Sequence, residues 1–350
     1  GNVALMAFYT VVTGWMIYYF CMFVAGKYQD LSFVSMITNP TVNVVFLAIA
    51  VVIGFAVLSF NLQGGLERIT KYMMVVLLLL MVVLAINSFT LDGAAEGLKF
   101  YLLPDFSKIN ASVMVGAMNQ AFFTLSLGIG SKAIFGSYID KERSLMGESV
   151  NVAILDTFVA FTSGLIIFPA CSAYGVDVNS GPSLIFITLP NIFNNMPLGR
   201  LWGALFFVFM SFAAISTVLA VFENIIACFT DIFNVSRKKA CLINGVLMLV
   251  LSLPCLLGFN LLSYIKPFGD GSNIMDLEDF IVSNILLPLG SLVFVLFCVS
   301  KKGWGFNKFM SEANQGKGLK VKKWMQGYMS YVLPIIIIIL FVFSMYNFFK

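Results

Sequence analysis

One stretch constrains this chain more than any other: Gln120-Ala-Phe-Phe-Thr-Leu-Ser-Leu-Gly-Ile-Gly130, set inside an uncharged run from Asn110 to Ser131. Such a run is long enough to enter a bilayer, whose hydrocarbon takes about 20 apolar residues to cross. Yet it carries Thr124, Ser126, Gly128 and Gly130 where a lipid-facing helix would carry leucine or isoleucine. Irregular backbone is tolerated at membrane depth only where it is buried in protein or lines a cavity. The stretch therefore predicts a helix that unwinds and offers its backbone to a ligand, as discontinuous helices do at the midplane sites of many secondary transporters.

The rest of the chain fits a membrane. Hydrophobic residues make up 60% and charged residues 11%, far from the balance of a soluble domain. Nine uncharged or nearly uncharged runs are candidate spans: Val3–Ala25, Thr41–Phe60, Tyr72–Phe89, Ser112–Phe135, Val150–Tyr174, Leu201–Phe222, Cys241–Phe259, Phe280–Val299 and Met325–Phe349. The fold class is all-α and polytopic, and residues 1–350 read as a single transmembrane domain. With Gly1 inside and the spans alternating, fifteen of the 21 lysines and arginines fall on the inner side. Only Lys27, Lys99, Lys108, Arg200, Lys266 and Lys350 fall outside, in keeping with the positive-inside rule. The net charge of +4 thus reflects topology and gives no reason to expect nucleic acid. The basic stretch Lys301–Lys323 reads either as a face laid on anionic headgroups or as a solvated loop.

Histidine is absent, which removes histidine catalysis, metal sites and proton relays. No GxSxG, Walker A or HExxH pattern occurs, so an enzyme is not expected. The six cysteines are scattered through the spans and read as small core residues. Gly1 stands one residue from a span with no signal-peptide pattern, so we expect further sequence upstream.

Between spans, Asn61–Tyr72 reads as a glycine-marked turn and Ser137–Ser149 as an inner loop dense in both charges. The outer loop 175–200 holds Gly181-Pro-Ser-Leu-Ile-Phe-Ile-Thr-Leu-Pro190. This piece is apolar but too short to span, and reads as a re-entrant lid or as an interfacial hairpin. The cytoplasmic connection 300–324, with Gly316 and Gly318, reads as mobile or as a short surface helix.

Several polar groups lie within spans. Asp156 is a functional candidate by default, because a buried carboxylate is costly without a partner; the other reading is a structural hydrogen bond. Glu223 either serves a site or reaches the interface. Ser216 and Thr217 follow Ala213-Ala214-Ile215 and offer oxygen to a hard cation such as sodium, or bond back to helix carbonyls. Trp15 and Tyr19 are four apart on one helical face, as pocket wall and phenol donor or as packing. Asp276, Glu278 and Asp279 precede the span at Phe280, where acids also favour a helix N-terminus.

Taken together, QAFFTLSLGIG resembles the unwound sixth helix of the neurotransmitter:sodium symporter family, bacterial amino-acid branch, whose fold is the LeuT type. GWMIYY resembles its third helix, GPSLIFITLPNIF its outer lid loop, AAISTVLAVFE its eighth helix and SNILLPLGSL its tenth. The resemblance implies an inverted-repeat bundle in which Val3 begins helix three, so that the nine spans are helices three to eleven.

Site roles follow from the resemblance. Tyr19 matches the tyrosine that binds the substrate carboxylate, Phe123 the aromatic that closes the pocket from outside, and Ser126 the serine of the unwound segment. Ile129 takes the place of a pocket aromatic, and Trp15, Phe123, Ile129, Ala213 and Val221 are implied to flank the substrate side chain. Thr124 and Asp156 match the first sodium site, Ser216 and Thr217 the second, with Gln120 a polar neighbour. Asp279 matches the acid of the outer gate beside Phe123. Asp156, standing where many members carry asparagine, implies a built-in negative charge and chloride-independent transport.

The implied activity is sodium-coupled symport of a neutral, hydrophobic or aromatic amino acid across the cell membrane, in a bacterium the inner membrane. Sodium and the amino acid are the expected partners and no organic cofactor is expected. Two alternatives remain open on the sequence: a proton-coupled transporter of related fold with Asp156 titrating, and a membrane subunit that transports nothing.

Overall fold

The structure, a computed structural model, describes residues 1–59, 66–139, 141–175 and 182–349. The turn expected at 61–65, Gly181 of the lid stretch, the span end Phe60 and Lys350 lie outside these residues. Among the described residues eight helices are long and apolar enough to cross a membrane. They lie in eight of the nine expected spans, and the remaining span is the one predicted to break.

In chain order the first helices are α1 (Asn2–Val24), α2 (Phe33–Thr38), α3 (Pro40–Ser59), α4 (Leu66–Phe89) and α5 (Ala94–Leu102). Then come α6 (Ala111–Thr124), α7 (Ser131–Tyr138), α8 (Leu145–Ala173), α9 (Leu189–Asn195) and α10 (Gly199–Phe233). The last are α11 (Arg237–Leu257), α12 (Ile274–Phe280), α13 (Leu287–Val299), α14 (Phe306–Ala313), α15 (Met325–Gly327) and α16 (Leu333–Phe349). Three π-helical turns, Leu184–Thr188, Ile281–Leu286 and Tyr328–Val332, run directly into α9, α13 and α16. Each precedes a proline by two residues: Pro190, Pro288 and Pro334. Proline has no N–H and its ring crowds the carbonyl four residues back, so the chain widens its turn there and leaves that carbonyl for another donor.

The contacts divide the chain into two compact units. One holds Val3–Pro104 and Ala160–Glu278. In it α3 packs along α11 and α10, and α10 along α4. Glycines set the spacing: a Cβ on Gly14 would stand 2.9 Å from the Phe46 carbonyl carbon, and one on Gly54 2.9 Å from the Phe222 ring. Small residues at such crossings let helices approach where water gives no hydrophobic drive. Phe55 and Phe222 stack beside Gly54 with centroids 4.2 Å apart.

The question left by Glu223 is settled by Arg237. The carboxylate is fully buried, and the two guanidinium amino groups donate to its two oxygens, Nη1 to Oε1 at 3.1 Å. Arg237 Nε donates at 2.8 Å to the Leu58 carbonyl at the end of α3. One ion pair thereby ties α10 to the adjoining ends of α3 and α11, and neither charge of the pair is left buried alone.

The other unit holds Gly1–Asn2, Asp105–Val159 and Asp279–Lys350. Here α13 packs on α16, and α6 meets both. Asn119 on α6 donates to Asn284 Oδ1 in the π turn at 3.3 Å and to Ser344 Oγ on α16 at 3.1 Å, and Ser344 donates to Asn284 at 2.8 Å. The connection 300–324 is built more firmly than its glycines suggested. Phe306, Ala313 and Val321 form a small buried core with Leu145 and Met146 packed against it. Lys317 N donates to the Glu142 carbonyl at 2.7 Å, and Ser144 N to the Lys317 carbonyl at 3.0 Å. Gly316, at φ +71°, leaves no room for a Cβ, which would fall 2.3 Å from Arg143 N.

Breaking a buried pair by removing one partner costs about 3–5 kcal/mol. Glu223→Ala should therefore lower the midpoint of thermal unfolding clearly, with Arg237→Ala falling by a similar amount and the double variant by less than the sum. Additive losses would show that the two groups are not energetically a pair.

Candidate substrate and sodium sites

The expected break is present, and its geometry explains its sequence. α6 ends in a Schellman cap: Ser126 N donates to the Phe123 carbonyl at 2.9 Å and Leu127 N to the Phe122 carbonyl at 3.0 Å. Ser126, the residue that reverses the chain, has φ +49°, a conformation unusual for anything but glycine. The Thr124 and Leu125 carbonyls are left outside the helical ladder. Gly128 and Gly130 follow at φ +82° each, and Gly130 opens α7 with no side-chain cap.

Gly128 is held by contact as well as by conformation. A Cβ there would lie 2.2 Å from the Leu287 carbonyl oxygen and 2.5 Å from Ser291 N, and a Cβ on Gly290 would lie 2.1 Å from the Gly128 carbonyl oxygen. The unwound backbone thus rests directly on the backbone of α13. Ile129 beside it is buried, and its carbonyl accepts from Asn2 Nδ2 at 2.6 Å.

At the end of α6 two of the expected sodium ligands meet. The Thr124 hydroxyl lies 3.1 Å from both carboxylate oxygens of Asp156 on α8. A hydroxyl that gives its proton to a carboxylate still presents lone pairs, and the carboxylate keeps acceptor capacity of its own. The donor set is all oxygen, which suits a hard cation. Among the described residues no group of three His, Cys, Asp or Glu side chains gathers as a transition-metal site would require. Phe123 is half-buried and Gln120 exposed. Asp279 is exposed at the end of α12, its carboxylate accepting from Ser283 Oγ at 2.8 Å.

The remaining candidates belong to the other unit. Tyr19 is fully buried and its phenol donates at 2.9 Å to the carbonyl of Phe186. That carbonyl lies four residues before Pro190, so the missing proline N–H frees it and the phenol takes the vacancy. The apolar lid stretch is therefore ordered from Pro182 onward as a π turn and a short helix, with Phe186, Ile192 and Phe193 buried. Trp15 is also engaged: its indole donates to Asn43 Oδ1 at 2.7 Å and meets the rings of Phe33, Phe186 and Phe259 edge-on. On α10, Ser216 and Thr217 both bond back to the Ala213 carbonyl, at 2.7 and 3.3 Å, and the Tyr9 phenol reaches Thr217. Ala213 is half-buried, and Val221 is buried one turn beyond the hydroxyl pair.

Three groups were not singled out from sequence. The Asn119–Asn284–Ser344 cluster is one, its members 165 and 225 positions from Asn119. Lys132, inside the expected span Ser112–Phe135 and counted only among the inner-side charges, lies in the first turn of α7. Ser291 is buried with its hydroxyl unpartnered. Asparagine inside an apolar span was the one available signal for the first.

Tyr19→Phe should leave the Phe186 carbonyl without its donor, at about 1–3 kcal/mol. Amide hydrogen exchange across Pro182–Asn195 should then quicken while α10 and α11 stay protected. Unchanged exchange in the lid stretch would contradict the role given to the phenol.

Comparison with known proteins places this geometry. The family model described as the sodium:neurotransmitter symporter family matches residues 23–350. An uncharacterized sodium-dependent transporter of Bacillus subtilis, YhdH, is 33% identical over 349 residues, covering 96% of this chain and 76% of that protein. An uncharacterized sodium-dependent transporter of Haemophilus influenzae is 31% identical over 366 residues, covering 99% of this chain and 77% of that one. The crystal structure of MhsT in complex with L-phenylalanine superposes with a TM-score of 0.87 at 34% identity, covering 98% of this chain and 79% of that one.

Proposed function

We propose that this chain, which belongs to the sodium:neurotransmitter symporter family, is built for sodium-coupled, chloride-independent uptake of a neutral amino acid with a hydrophobic or aromatic side chain. The observation that carries the reading is the Thr124 hydroxyl set on the Asp156 carboxylate at the edge of the unwound segment. A fixed carboxylate there supplies the negative charge that balances a sodium ion, so no chloride is needed beside it.

In this reading the substrate carboxylate displaces the Phe186 carbonyl from the Tyr19 phenol, and the substrate amine takes the carbonyls freed around Thr124 and Ser126. Trp15, Phe123, Ile129, Ala213 and Val221 present apolar surface to the side chain, which disfavours a charged one. The aromatic amino acid named with the MhsT structure supports that choice. Ser216 and Thr217 turn their hydroxyls from Ala213 to a second sodium, and Phe123 with Asp279 closes the outer side. Each sodium entering down a 100 mV potential contributes about 2.3 kcal/mol before its concentration gradient is counted.

The test is uptake into proteoliposomes by the product of the complete gene, with labelled amino acids and inward gradients of sodium or potassium. Accumulation should need sodium, ignore replacement of chloride by gluconate, and favour phenylalanine or leucine over lysine or glutamate. In Asp156→Asn the sodium concentration for half-maximal uptake should rise at least about tenfold, with chloride now stimulating transport. Uptake that follows a proton gradient equally well in potassium would overturn the sodium reading, as would an Asp156→Asn variant with unchanged sodium dependence.

A further inference from the structure

A cavity lies within the unit that carries the broken helix. Its volume is about 400 Å³, within the range of small-molecule sites. Most of its wall is apolar, from Phe122, Leu127, Phe294, Leu333 and Ile337. One region of it is polar: Ser126, Lys132 and Ser291 all line it.

Two of those three stand out. Ser291 is 8% exposed, and its hydroxyl oxygen is sealed from solvent without a hydrogen-bond partner, a cost that native structures seldom leave uncompensated. Lys132 stands in the first turn of α7, where the helix dipole is positive and repels a cation. Its side chain is exposed, so an anion entering the cavity can reach the ammonium. Asp156 attracts it electrostatically, yet that carboxylate already accepts Thr124 on both oxygens, and no ion pair to Lys132 forms among the described residues. The first-turn amides of α7 have no side-chain cap either, so the helix end, the ammonium and the Ser126 hydroxyl favour a negative group from outside the chain.

We infer that this cavity binds an anionic amphiphile, with an acidic head at Lys132 and the start of α7, and a single apolar tail among Phe122, Phe294, Leu333 and Ile337. The head chemistry, a carboxylate or a phosphate ester, is shared by fatty acids and single-chain phospholipids. Occupancy would brace the segment from Ser126 to Gly130 in its observed conformation, so the amphiphile should slow transport. The cavity shares Ser126 with the proposed substrate site, but its head and tail residues are its own and do not depend on which amino acid the protein carries.

The purified gene product in nanodiscs would be titrated with three labelled probes: palmitate, its methyl ester and lysophosphatidylglycerol. Saturable binding of palmitate or lysophosphatidylglycerol is expected, and the better binder identifies the head as carboxylate or phosphate. Leu333→Trp and Ile337→Trp, which fill the tail region, should each weaken that binding at least about tenfold, and Lys132→Met should weaken it about tenfold. The methyl ester should bind weakly and be indifferent to Lys132→Met. Hydrogen exchange of α10 and α11 would report that each variant is folded. The inference is overturned if no acid binds saturably, if both tryptophan variants bind like the parent, or if Lys132→Met affects acid and ester alike.

Discussion

Everything in the unit that carries the broken helix depends on one close approach, between the Gly128 carbonyl and the backbone of α13 at Gly290. A membrane helix cannot simply stop. Its last carbonyls and the first amides of its successor need partners, and in hydrocarbon water is not one of them. The chain meets this with a Schellman cap that closes the end of α6 and with glycines that lay the next turn on a neighbouring helix. Thr124 is thereby left at the helix end, with its hydroxyl against Asp156, and two carbonyls are released from the ladder. The sodium reading, the amine reading and the amphiphile cavity all draw on groups that this one packing contact puts in place.

The other unit is held by interlocked aromatic rings and close backbone approaches. Trp15, Tyr19 and Phe23 line one face of α1 and interlock with Phe186 and Phe207. Glycines bring the backbones into contact, and the Glu223–Arg237 pair ties α10 to the ends of α3 and α11. Proline has a constructive role here as well. By withholding an N–H, Pro190 makes the Phe186 carbonyl available to the Tyr19 phenol, so a helix-breaking residue creates a labile bond at a proposed ligand position.

Much of this was legible in the sequence because it rests on local rules. The break was announced by hydroxyls and glycines at membrane depth, and Ser126, Gly128 and Gly130 do adopt positive φ. The spans followed from length and charge. The pairing of Thr124 with Asp156 came from the family resemblance, since no local pattern joins residues 32 apart in sequence. What was missed depends on long-range partners. Glu223 stayed undecided until Arg237 and the Leu58 carbonyl were seen around it. Gly316 and Gly318 left this connection open between mobility and a short helix; α14 is that helix, and the glycines supply positive φ and room for a backbone clip to Glu142 and Ser144. Lys132 was counted only among the inner-side charges, because nothing local marks a lysine in the first turn of α7 as a cavity residue.

The measurement that bears most directly on this account is sodium-dependent uptake by three glycine variants compared side by side. Gly128→Ala and Gly290→Ala each drive a methyl group into backbone, at 2.2 and 2.1 Å, and should abolish uptake although the protein remains folded by hydrogen exchange of α10 and α11. Gly130→Ala shares the φ of +82° but meets only the Phe294 ring, at 3.5 Å, so it should cost about 1–2 kcal/mol of backbone strain and retain measurable uptake. Wild-type uptake in both Gly128→Ala and Gly290→Ala would show that the contact with α13 does not hold the site together.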